Sequence, residues 1–207
     1  MKKEEKIGFL RTFGDLKNEK IIKAFFKVKR ETFVLGEYKK LAYQDVALPI
    51  LCGQTISQPS TIVIMLDLLE LEKGQKILEI GTGSGYNSAL ISEIIKPGKV
   101  YTIEIIKELY EFAKNNLEKY KNILIFNKDG GLGLEEDMPY DRIIVTAACP
   151  DIPYQLVDQL NENGILLAPV GVKYQDMIKL IKTKEGYNIR NYGKFEFVKL
   201  KGEFGFK

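Results

Sequence analysis

Residues 76–90 read KILEIGTGSGYNSAL, and this stretch decides the fold. An aliphatic run leads into Gly81-x-Gly83-x-Gly85, and an apolar pattern of helical period follows. Strand, glycine loop and helix in that order put the loop at the carboxyl end of a strand. Glycine there permits positive φ and lets a ligand approach the backbone with no Cβ in the way. The segment is therefore a candidate phosphate, nucleotide or nucleoside cradle opening an α/β unit.

Outward from it, short β-rich runs alternate with amphipathic patterns. The runs are VYTIE (100–104), ILIFN (123–127), RIIVTA (142–147), ILLAPV (165–170), MIKLI (177–181) and FEFVKL (195–200). Helical patterns cover NSALISEII, KELYEFAKNNLEKY and YQLVDQL. Such alternation predicts α/β architecture: a doubly wound, mostly parallel, Rossmann-like sheet with helices on both faces. KTKEGYNIRNYG (182–193) is too polar and short for a crossover helix, so the last two runs are expected to close the sheet as an antiparallel C-terminal hairpin. Upstream, Ile21, Ile22, Phe25, Phe26 and Val28 form a helical stripe behind Asn18, a candidate N-cap. Gly36, Pro49, Gly53 and Pro59 then break every period, which predicts loop with short extended pieces. TIVIMLDLLEL (61–71) follows as a helix with Pro59 in its first turn and Ser57 just ahead of it. The chain is thus read as one domain, 1–207, with an N-terminal helical and loop subregion over 1–57 and a Rossmann-like cofactor-binding core over 58–207.

Spacing selects the ligand. A dinucleotide fingerprint wants G-x-G-x-x-G, and position 86 is Tyr, so the pyrophosphate reading weakens. Glu79, two residues before the first glycine, suits a cationic group such as the sulfonium-bearing methionyl part of S-adenosylmethionine. Glu104 ends the second strand, about 20 residues beyond the first glycine, where a carboxylate accepts bonds from ribose hydroxyls. Asp129 and Gly130 follow the third strand, placed to receive an adenine amino group. Three carboxylates at successive strand ends are more specific than any one alone.

Composition narrows the chemistry. The 45% apolar and 29% charged residues are the balance of a soluble globular chain. Lys and Arg, 31 against 28 Asp and Glu, leave +3 spread along the sequence, so no nucleic-acid-binding tail is expected. The chain has no histidine, which removes imidazole acid–base catalysis, His-containing triads and nearly all catalytic zinc sites; no metal is expected. Cys52 and Cys149 make no disulfide framework and are read as small buried apolar groups. MKKEEKIGFLRTFG at the start holds no apolar run of signal-peptide length, and no 18-residue apolar stretch exists. These features point away from a membrane and toward the cytoplasm.

Together with AYQDVALPI (42–50), GQTISQP (53–59), KDGGLG (128–133), MPYDRIIVTAACPDIP (138–153) and QLNENGILLAPVG (159–171), the glycine loop resembles the protein-L-isoaspartate O-methyltransferases, class I S-adenosylmethionine-dependent enzymes. GTGSGY alone indicates only a class I methyltransferase; GQTISQP and PYDRIIVTAA make the likeness specific. It implies methyl transfer from S-adenosylmethionine to the α-carboxylate of L-isoaspartyl residues in damaged proteins and peptides. The ester collapses to a succinimide, part of which reopens to normal aspartate. By the same likeness Ser57 is the active-site serine, and Gln54, Thr55 and Ile56 line the site. Glu79, Gly81 and Gly83 hold the methionyl end, Glu104 the ribose, and Asp129 with Gly130 the adenine; a monomer is implied. The sequence departs from the family pattern at Lys29, Ser60 and Lys199, where proline, an aromatic or His, and proline are usual.

The chemistry suits a chain without imidazole. A peptide α-carboxyl, with an ordinary pKa near 3.5, is already ionised at neutral pH and needs no general base. What remains is to align it with the methyl group, steer it with donors such as Ser57 and the adjoining helix N-terminus, and exclude water. The residues leave two other readings open: a methyltransferase acting on RNA, a nitrogen nucleophile or another small molecule, and a non-catalytic module that binds S-adenosylmethionine.

Overall fold

The computed structural model describes residues 18–206. The N-terminal stretch read above for targeting signals lies outside them. Asn18 caps α1 (Glu19–Lys27), its side chain accepting from the Lys20 N–H, and Ile21, Ala24 and Phe25 turn inward. The interrupted region that follows is a series of 3₁₀ turns and a two-stranded ribbon, β1 (Leu48–Pro49) antiparallel to β2 (Thr55–Ile56). α2 (Pro59–Leu68) starts at its proline, and its near-continuous apolar run is buried on most sides.

A seven-stranded sheet then forms in the order β5-β4-β3-β6-β7-β8-β9. Its parallel strands are β3 (Lys76–Ile80), β4 (Lys99–Ile103), β5 (Ile123–Phe126), β6 (Tyr140–Val145) and β7 (Leu160–Val170). β8 (Gln175–Thr183) and β9 (Gly186–Phe195) close one edge antiparallel. The chain builds outward from β3 through β4 to β5, then returns to β3's other side with β6. The carboxyl ends of β3, β4 and β6 therefore frame a switch point, where open α/β sheets leave a crevice for ligands.

Neighbouring residues of the central strands face opposite sides, so one side of the sheet collects Ile77, Val100, Ile144 and Ile165 and the other Leu78, Tyr101, Ile143 and Leu166. The first side is covered by α1, α2, α3 (Tyr86–Ile95) and α4 (Lys107–Leu117), the second by the five-residue α5 (Tyr154–Asp158) and turns. Helices thus flank both faces, unequally. The hydrophobic cluster on the first side runs without a break from Ile21 to Met177, joining the N-terminal helical region to the sheet.

Two details differ from the sequence reading. The final strand is β9, drawn from the polar GYNIRNYGKF and not from FEFVKL; the turn falls at Lys184 and Glu185. As an edge strand open to solvent along nearly its whole length, β9 needs no apolar face, so no hydrophobic alternation marks it. Phe195 ends β9, and the rest of FEFVKL leaves the sheet and crosses the carboxyl strand ends, where Lys199 pairs beside Ala148. Cys52 is exposed, in a left-handed turn at φ 56°, whereas Cys149 is buried and its thiol is pushed up to about 12 by that burial. Among the described residues no helix is long and apolar enough to cross a membrane, and no group of three His, Cys, Asp or Glu side chains is placed to hold a metal.

Candidate active site

The glycine loop turns sharply between β3 and α3. Gly81, Gly83 and Gly85 all have positive φ, and Gly85, at φ 87°, is the residue that caps α3. A Cβ at Gly81 would meet the Thr146 hydroxyl at 2.5 Å, and one at Gly85 would meet Leu117 at 2.8 Å. The loop is tied from three directions. The Thr146 hydroxyl donates to the Gly81 carbonyl at 2.6 Å, the Gly83 N–H donates to Glu104 at 2.9 Å, and Asn116 on α4 donates to the Ser84 carbonyl at 3.0 Å. So held, the loop lines an open cleft at the switch point, the place where sheets of this kind take small-molecule ligands.

The cleft is lined by Gln54, Thr55, Ile56 and Ser57, by Gly81, Gly83 and Asn87, by Glu104, Ile105 and Ile106 at the end of β4, by Gly130 beyond β5, and by Val198 to Lys201. The structure therefore brings together Gln54, Thr55, Ser57, Gly81, Gly83, Glu104 and Gly130 of the residues named from sequence. Glu104 is 5% exposed, and its carboxylate accepts the N–H groups of Gly83 and Ile106. Burial raises its pKa, and those backbone bonds pull against the rise. Ser57 is not the N-cap of α2; Gln58 holds that position without a side-chain bond, so the serine hydroxyl is not consumed in capping. The helix N-terminus itself is partly satisfied, because the Ser60 N–H already donates to Asp45. The share of anion steering expected from that terminus shrinks accordingly.

Two acids stand elsewhere than expected. Glu79 is completely buried and does not wall the cleft. Its carboxylate accepts from Asn87 at 2.7 Å, from Thr102 at 2.7 Å and from Ser88, and burial raises its pKa against those three bonds. Because β3 is central, the side chain at position 79 points into the protein under the loop, and a sequence pattern does not reveal which face that is. Asp129 likewise turns from the cleft: one oxygen caps the 3₁₀ turn through the Gly131 N–H at 2.8 Å, the other accepts from the Glu203 N–H at 2.7 Å. It fastens the C-terminal segment over the third strand. Asn87 is the residue that sequence reasoning missed. Its amide nitrogen is fixed on Glu79, and its Oδ1 is buried with no hydrogen-bond partner among the described residues. The only hint in the sequence was a polar residue inside the first turn after the glycines.

Comparison with known proteins settles the family. The profile of the family described as protein-L-isoaspartate(D-aspartate) O-methyltransferase matches residues 1–204. The chain belongs to the protein-L-isoaspartate O-methyltransferase family. Among curated members, the enzyme of that name from Pyrococcus horikoshii is 47% identical over 97% of this chain and 93% of its own, and that of Dictyoglomus turgidum 44% identical over 100% and 94%. A solved protein-L-isoaspartate O-methyltransferase superposes with a TM-score of 0.89 at 30% identity, covering 98% of this chain and 67% of that one. A beta-aspartate methyltransferase from Plasmodium falciparum, solved in complex with S-adenosyl-L-homocysteine, gives 0.83 at 25% identity over 96% and 97%.

Within this methyltransferase frame the three departures from the family pattern fall in different places. Lys29 is exposed at φ −79°, a backbone that proline also adopts, and its carbonyl starts the 3₁₀ turn of Arg30–Thr32. Ser60 lies in the first turn of α2 and its hydroxyl accepts from Gln58 at 2.8 Å, off the cleft wall. Lys199 alone of the three lines the methyltransferase cleft.

Proposed function

We propose that this cleft binds S-adenosylmethionine along the glycine loop and presents its methyl group to the α-carboxylate of an L-isoaspartyl residue entering past Ser57, as a repair methyltransferase. The single observation carrying the geometry is that Ser57, the glycine loop and the Glu104 carboxylate share one cleft. The residues fit the donor. Glu104 suits the ribose hydroxyls, Gly81 and Gly83 let the methionyl chain lie on the backbone, and the unpaired Asn87 Oδ1 offers an acceptor to its ammonium group. In this reading Glu79 acts on the methionyl end at one remove, by fixing the Asn87 amide so that its carbonyl is the free end. Gly130 and Ile105 leave an apolar slot for the adenine, with Asp129 shaping its far end by holding the segment around Glu203.

When bound, S-adenosylmethionine supplies an electrophilic methyl group on a cationic sulfur. Its transfer to an already ionised carboxylate oxygen, with the C–S bond electrons left on sulfur, would need no proton moved, so no acid or base is asked of the chain. The protein's task is alignment and exclusion of water. Ser57 donates to the carboxylate oxygen that is not reacting, orienting it without attacking. Two free cysteines and the absence of histidine cost this chemistry nothing, and free thiols suit a reducing compartment such as the cytoplasm, where we place the enzyme as a monomer.

The test is incubation with methyl-labelled S-adenosylmethionine and an isoaspartyl peptide beside its normal aspartyl twin. Base-labile label on the first peptide alone supports the reading. Base-stable N-methyl label, or label on RNA, identifies a different methyltransferase, and donor uptake without transfer identifies a binding module.

A further inference from the structure

The C-terminal segment gives this cleft a charge that methyl transfer does not require. Val198 to Lys201 run beside Ala148, whose N–H donates to the Val198 carbonyl at 2.8 Å and whose carbonyl accepts from the Leu200 N–H at 2.9 Å. Leu200 is buried in the cluster on the α5 side of the sheet, while Lys199 and Lys201, one residue to either side, are exposed, the alternation of an extended chain. Among the described residues that wall the cleft, these two lysines are the cations and Glu104 the anion. Lys201 is near enough to Glu104 to oppose the rise that burial imposes on its carboxylate, so part of its field is directed at that acid. Lys199 has as its described partner only the ring of Phe206, its ammonium 5.1 Å from the centroid, an arrangement that holds the chain without neutralising it.

Resting on the function proposed above, we propose that Lys199 is a specificity residue: its ammonium draws the substrate's carboxylate into the cleft and releases the ester, because methylation removes the charge it attracts. The reacting oxygen is anionic before transfer, partly neutralised during it and neutral after it. A cation lining the same cleft therefore favours the bound substrate over both the transition state and the product. Charge of this kind lowers KM without raising kcat. It also makes product binding weaker than substrate binding, which helps an enzyme whose product is as large as its substrate.

Steady-state kinetics of Lys199→Met and Lys199→Arg on an isoaspartyl peptide, at low and high salt, test this. Lys199→Met is expected to raise the peptide KM roughly two- to fivefold at low salt, the size of an exposed charge pair. Its kcat should be unchanged or slightly higher and its KM for S-adenosylmethionine unaltered. Lys199→Arg keeps the charge and should keep the KM. High salt should raise the parent's KM toward that of the Met variant and leave the variant's nearly still. Inhibition by the purified peptide methyl ester should be equal in parent and Lys199→Met. An unaltered peptide KM in Lys199→Met, or a fall in kcat at constant KM, overturns the inference. If the parent fails to methylate the isoaspartyl peptide at all, it is the function that fails, so the two failures are told apart.

Discussion

Glu79 meets the protein interior with both oxygens engaged, by Asn87, Thr102 and Ser88, and burial holds its pKa above the ordinary 4.5. An acid whose pKa is raised on folding contributes stability that is full below its unfolded value and is lost as pH climbs through the folded one. Glu79→Gln has no proton to lose, so its melting temperature relative to the parent is expected to move upward as pH rises above the ordinary 4.5. A flat difference across that range, measured by thermal denaturation at several pH values, would contradict the burial of an ionisable carboxyl there. Ser57→Ala should lower turnover by roughly one to two orders of magnitude, about 1.5–3 kcal/mol for a hydrogen bond to a charged group, while S-adenosylhomocysteine binding by calorimetry stays within error. Unchanged turnover would remove Ser57 from the reaction. The serine itself stood out in the sequence only through the likeness of GQTISQP to a family. What the fold added was that Gln58 occupies the cap and that Ser57 faces the cleft.

The glycine loop belongs with the elements it joins. Gly85 ends the loop in a left-handed conformation and starts α3, with Leu117 of α4 packed where a side chain would go. Gly85→Ala adds the left-handed cost for a residue with a Cβ, about 1–2 kcal/mol, and a collision with Leu117 besides. It should lower stability by at least that cost in urea denaturation and weaken S-adenosylhomocysteine binding in calorimetry. A variant that binds and melts like the parent would mean that the helix start does not need this geometry. The strand–loop–helix order was legible because β3 is buried on both faces and reads as an aliphatic run interrupted only by Glu79. β9 was not, because an edge strand is held by backbone pairing to β8 and carries no apolar pattern to read. α5 fell short of its apolar stretch for a related reason: β7 begins at Leu160 and takes over its last apolar residue.

Across the whole molecule the N-terminal helices and the sheet share one core. Leu66 on α2, 1% exposed, lies in the same cluster as Ile21 of α1 and Ile91 of α3. If the chain is one domain, Leu66→Ala, costing about 2–5 kcal/mol, should move a single transition to lower temperature, by roughly 2–4 °C per kcal/mol, with far-UV circular dichroism and tyrosine fluorescence still coincident. Separate transitions would divide the chain near the boundary between the helical region and the sheet. The cleft is assembled at the same scale. Its walls come from the β1–β2 ribbon, the ends of β3 and β4, the turn after β5, the end of β6 and the segment beyond β9, so residues from position 54 to position 201 meet in one place.

The α/β class, the glycine loop at a strand end, and the independence of the chemistry from imidazole followed from the sequence alone, because each rests on local pattern or on composition. Which way a side chain turns from a central strand, and what the chain beyond the sheet lies against, are settled by packing between segments far apart. That is why Glu79 and Asp129 make their hydrogen bonds away from the cleft, and Asn87 and Lys199 came to line the same cleft as Ser57 only once the chain had folded.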